Sequence, residues 1–143
     1  MPLIPDDLRA RLLANGANCE VDHVPVLKLF DPTGAATWLI TEMDPEEPDI
    51  LFGLCDLGMG FPELGSVSLA EPESVKGHLS LGIERDLDFV GRFPLSVYAE
   101  AACVARRITE TEHLLAQAAA ALSRKSGGQL PNPELPPPAD TKR

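Results

Sequence analysis

The chain has 143 residues, 44% of them apolar, which is enough for one domain with a real hydrophobic core. Twelve basic residues against twenty-two acidic ones give a net charge of −10, and that balance opposes direct binding to nucleic acid or to an anionic membrane. No apolar run reaches the length of a membrane helix.

The charge is unevenly spread. Residues 1–93 hold six bases and seventeen acids, whereas residues 94–143 hold six bases and five acids. The acidity therefore belongs to the first two-thirds of the chain. The N-terminal stretch MPLIPDDLRARLL carries acids where a secretory signal needs bases, so export is not expected. Cys19, Cys55 and Cys103 are odd in number and lack framework spacing, which suits a reducing cytoplasm.

In chain order, IPDDLRARLLANG predicts a short opening helix, with Asp6 and Asp7 in its first turn and Leu8, Leu12 and Leu13 as its apolar stripe. VPVLKLF (24–30) and ATWLITEM (36–43) predict two strands joined by the turn DPTG, with Trp38 on a buried face. DPEEPD is an acidic, proline-punctuated loop carrying Glu46 and Glu47. DILFGLCDL (49–57) is apolar at nearly every position and predicts a central strand covered on both faces.

The stretch CDLGMGFPELG (55–65) holds three glycines. A dinucleotide fingerprint needs a third glycine at position 63 and a helix opening there. Glu63 stands there instead, after Pro62, and a Gly-Lys-Ser/Thr sequence is also missing. The reading left is a wide turn whose glycines take positive φ, with Phe61 folded back on the core. GSVSL then predicts a fourth strand. In HLSLGIERDLDF the alternation predicts a fifth, with Leu87 and Phe89 on its apolar face. Glu84, Asp86 and Asp88 fall on its opposite face, about 6.5–7 Å apart.

From Pro94, PLSVYAEAACVARRITETEHLLAQAAAALSRK predicts one long helix, started by Pro94 and Ser96. QLPNPELPPPADTKR is proline-rich and predicts a disordered tail. The expectation is a single α+β domain over residues 1–126 and a tail over 127–143. The domain is an antiparallel sheet of about five strands, with a short N-terminal helix and a long C-terminal helix packed on one face.

No motif of catalysis is present. Cys19, Asp22 and His23 are close in sequence, but a zinc site needs more ligands, and no Cys-x-x-Cys or His-Glu-x-x-His occurs. Ser66 is not in a nucleophile elbow, and Cys103 lies mid-helix, where inert burial is expected. Neither a metal nor a cofactor is expected.

LIPDDLRARLLANG, HVPVLKLFDPTGAATWLITE, LFGLCDLGMGFPELGSVSL, LGIERDLDF and PLSVYAEAA together span residues 3 to about 113. They resemble a family of small bacterial proteins classed as a domain of unknown function. The resemblance implies carriage on plasmids and integrative elements, and a role in element maintenance, transfer or evasion of host defence. It brings no catalytic residues, and the family's central segment takes a small residue where Cys55 stands.

Two functional readings follow. In the first, the chain is a non-enzymatic interaction protein. Glu84, Asp86 and Asp88, joined by Glu46 and Glu47, imitate nucleic-acid phosphates and dock on a basic host surface, such as a nuclease, restriction enzyme or CRISPR effector. In the second, a small enzyme or ligand-binding domain, Asp22, His23, Asp56 and Glu63 converge in a pocket between sheet and long helix. A scaffold or dimer role through the alanine-rich helix is a third possibility.

Overall fold

A computed structural model of the chain describes residues 3–69 and 83–127. Its elements run α1 (Asp6–Gly16), β1 (Leu27–Phe30), β2 (Thr37–Met43), β3 (Ile50–Asp56), β4 (Glu63–Ser68), β5 (Glu84–Arg85), α2 (Leu95–Ala105) and α3 (Glu112–Gly127). The strands form one antiparallel sheet in the order β4-β3-β2-β1-β5. The α+β class and the five antiparallel strands agree with the sequence reading; the third strand is interior, between β4 and β2, and β2 is the central one. The proline-rich tail from 128 onward lies outside the described residues, as does the stretch from 78 to 82.

Strand alternation sends neighbours to opposite faces, and both faces are apolar here. Trp38 and Ile40 of β2 join Leu27, Leu29 and Leu51 in a core closed by Leu12 of α1, with Leu8 and Leu13 packed against it. Leu39 and Leu54 point the other way, into a core built with Leu95, Tyr98, Ala101 and Ala102 of α2 and Leu115 and Ala118 of α3. The sheet is thus sandwiched, with the short helix on one face and the later helices on the other. A register shift between Ile40 and Glu42 marks a bulge in β2. The Thr41 carbonyl there accepts a hydrogen bond from Asn15 Nδ2 (2.9 Å), which ties the end of α1 to the sheet.

The single long helix expected from residue 94 is two helices. Arg106 has a left-handed backbone (φ 65°), and the Arg107 N–H reaches back to the Ala102 carbonyl (3.1 Å). Such a stop usually uses glycine; an arginine there costs roughly 1–2 kcal/mol, which tertiary bonds to the connector must offset. Helix resumes where Leu115 N–H bonds to the Thr111 carbonyl, and Thr109 Oγ1 accepts from the Thr111 N–H (3.2 Å).

Trp38 is only 5% exposed, facing Cys55 across the ladder and Leu29 on the other side. Trp38→Ala is expected to cost about 3–5 kcal/mol in urea unfolding, as a large-to-small change in a packed core does. Native tryptophan fluorescence should be blue-shifted and move red only on unfolding.

Candidate functional site

The glycine-rich stretch is a turn, as its composition predicts. Gly58 and Gly60 take φ of 85° and 89°, conformations that L side chains rarely adopt. Any Cβ on Gly58 would also stand 2.4 Å from that of Ala35. Phe61 does not fold back on the core; its ring is exposed, with the Arg106 guanidinium 5.9 Å above it.

Asp56, last residue of β3, organises this end. It is only 4% exposed, because it points to the face that the helices cover. Its Oδ1 accepts from the Gly58 N–H (2.8 Å), and its Oδ2 accepts from the Ile108 N–H (2.8 Å) in the connector between α2 and α3. One carboxylate therefore sets the turn and anchors the helix break.

The four residues expected to share a pocket are not brought together. Asp22 caps α2 from the loop after α1, accepting from the Ser96 N–H (3.1 Å) and the Ser96 hydroxyl. Ser96, read as part of the helix start, does its work there as a donor. His23 Nε2 donates to the Asn15 and Asn18 carbonyls (3.1 and 2.9 Å), so Nε2 carries the proton. Asp22 thus lies at the start of α2 and Asp56 beyond its end. Eleven helical residues separate those points by about 16 Å. Glu63 is exposed opposite Cys55. Burial, and then the Glu63 charge, push the Cys55 thiol up, away from the thiolate that nucleophilic chemistry needs. Cys103 is exposed rather than buried. Among the described residues no group of three or more His, Cys, Asp and Glu is placed to hold a metal ion. No helix among them is long and apolar enough to cross a membrane.

The acidic row is also rearranged. β5 is described only over Glu84 and Arg85, and the chain then turns. The Asp86 N–H bonds to the Lys28 carbonyl, the Phe89 N–H to the Asp86 carbonyl, and Asp86 Oδ1 accepts from the Asp88 N–H (2.9 Å). That side-chain turn replaces the expected strand, so Leu87 is exposed rather than on an apolar face. Glu84 and Asp88 remain exposed. Asp86 is half-buried and pairs with Lys28 Nζ (3.5 Å), which also binds Glu110 in the connector. Burial pulls the Lys28 pKa down, and Glu110 and Asp86 more than offset it, leaving it raised.

A larger group of carboxylates without such partners gathers elsewhere. Glu42, Asp44, Glu46, Glu47 and Asp49 surround the β2–β3 turn, and Glu20 of the loop after α1 acts electrostatically on Glu42. No Lys or Arg among the described residues ion-pairs with any of the six. The turn is preset. Asp44 Oδ1 accepts from the Glu46 and Glu47 N–H groups (2.9 and 3.4 Å), and the Ile50 N–H bonds to the Glu47 carbonyl (2.8 Å). Burial raises the Glu42 pKa, His23 opposes that rise, and Glu20 adds to it. Glu46 and Glu47 were legible as loop acids. Glu20 and Glu42 were not, because only the fold brings a helix exit to a strand end.

Two variants test these assignments. Asp56→Ala leaves the Ile108 N–H without its acceptor and is expected to cost about 2–4 kcal/mol in urea unfolding. Asp56→Asn should recover part of that, since its one acceptor oxygen cannot serve both N–H groups. A folded-state pKa raised at Glu42 means its contribution is fully present below the ordinary value of 4.5 and is lost as pH rises through the raised value. Glu42→Gln should therefore melt higher than wild type at pH 7, and the gap should close below pH 4.5.

No curated protein and no solved structure matches the chain. A family model described as "Protein of unknown function (DUF2958)" matches residues 3–109, from ahead of α1 to the connector pinned by Asp56. That span takes in the whole described sheet, α1 and α2, so the chain belongs to the DUF2958 family of proteins of unknown function.

Proposed function

We propose that the protein is a non-enzymatic interaction protein whose acidic end at the β2–β3 turn docks on the basic surface of a nucleic-acid-handling protein. The observation that carries this reading is the preset turn bearing Glu46 and Glu47 among carboxylates that no described Lys or Arg neutralises. A fixed cluster of like charge focuses its field outward and speeds encounter with an opposite surface. Its rigidity lowers the ordering cost of binding. Glu84 and Asp88 add exposed charge on and beside the β5 edge of the sheet, while Asp86 is engaged with Lys28.

The same charge repels DNA and RNA, so the protein competes with nucleic acid for its partner rather than binding it. The resemblance to proteins of plasmids and integrative elements supports a cytoplasmic host nuclease, restriction enzyme or CRISPR effector as that partner. It supports counter-defence as the role.

A pulldown from host lysate tests this. Wild type should retain DNA-binding proteins at low salt and release them as salt rises. Double-stranded DNA should displace them. The Glu46→Lys, Glu47→Lys double variant should lose them with little change in melting temperature, since surface substitutions usually shift stability little. A folded double variant that retains the same proteins would end the reading.

A further inference from the structure

The opposite end of β3 presents a surface of different character. Leu57, Met59, Phe61 and Leu64 are 60%, 74%, 71% and 49% exposed, four large apolar side chains around one turn. Soluble domains rarely leave such a group together in water unless it meets a partner. The turn that carries them is stiff, since Asp56 and the two positive-φ glycines fix its backbone. Beside it, Arg106 lies over Phe61 and Arg107 is exposed. Neither arginine ion-pairs with a carboxylate among the described residues.

A partner for this surface needs an apolar recess with carboxylates at its edge. The chain carries one. At the acidic end lies a recess of about 310 Å³ lined by Pro45, Ile50 and Phe52 together with Glu42 and Asp44. The seven residues of β3 hold the Met59–Phe61 turn and the Glu42 and Asp44 end roughly 20 Å apart, so that turn cannot seat in the recess of its own molecule. The chain's net charge of −10 disfavours a lipid surface or a nucleic acid as occupant. We infer that copies of this protein associate head to tail, the Met59–Phe61 turn and its two arginines of one copy seating in the acidic recess of the next. Arg106 and Arg107, beside the exposed Glu63 of the same turn, face Glu42 and Asp44, and the apolar groups leave water on both sides.

Such a contact joins two different surfaces, so each copy keeps one free end. This inference goes beyond the partner reading and does not rest on it. The two meet in one consequence, that a basic partner and a second copy compete for the acidic end.

Sedimentation velocity of the full chain tests it without any partner. Wild type should show a weight-average mass that rises with concentration at low salt and falls back to the monomer at high salt. Arg106→Glu/Arg107→Glu and Glu42→Lys/Asp44→Lys should each sediment as monomers while melting cooperatively. Mixed in equal amounts they should assemble again, the intact recess of one taking the intact knob of the other and the two charge-reversed surfaces pairing in turn. Met59→Ser should weaken wild-type association at least tenfold and guards against a charge variant that fails to fold. Wild type that stays monomeric at every concentration would overturn the inference and leave the surface to another protein. So would a closed two-fold dimer whose charge variants do not recombine.

Discussion

A single buried carboxylate holds the chemistry of this fold in place. Asp56 closes β3 on the face that the helices cover, and its two oxygens accept from backbone N–H groups fifty residues apart in character and position, Gly58 in the turn and Ile108 in the connector. Low surrounding dielectric makes both bonds stronger than they would be in water, and makes losing either costly. The left-handed stop at Arg106 becomes tolerable because the connector is held just beyond it. The same bond carries Arg106 over Phe61.

The second tether is Lys28. Its ammonium group sits between Asp86 and Glu110, joining β1, the turn after β5 and the connector. Partial burial disfavours its charge, yet the two carboxylates outweigh that. The connector therefore crosses the sheet between an acid on β3 and a base on β1, and α3 begins only after both have been met. The family match stops at Thr109, within that crossing. The helix beyond it still adds Leu115 and Ala118 to the second core.

These tethers also sort the acids. Asp22, Asp56 and Asp86 are engaged in capping, anchoring and pairing. The carboxylates around the β2–β3 turn are bound, where bound at all, only to local backbone. One end of β3 thus carries a group of carboxylates that no described Lys or Arg pairs with, and the other a group of exposed apolar side chains. Polarity along one strand is what makes the two ends candidates for different contacts.

Local patterns determined much of this. Strand alternation placed Trp38 and Ile40 on a buried face, and the helical spacing of Leu8, Leu12 and Leu13 marked the face of α1. Gly58 and Gly60 announced a turn because only glycine takes positive φ freely. The carboxylates Glu46 and Glu47 were visible as loop acids because proline and aspartate exclude regular structure around them. The break at Arg106 was not visible. No glycine or proline stands there, the apolar spacing runs through it, and the cause is an aspartate fifty residues upstream. The acidic row failed for a related reason. Its alternation was real, but the Asp86 side chain offers the backbone a turn, and Lys28, far away in sequence, holds that carboxylate in place. Sequence determines periodicity and turn chemistry, which act over a few residues. Only the folded chain decides which distant charges meet, because a buried ion pair or anchored carboxylate exists only once the sheet has brought its partners within hydrogen-bonding distance.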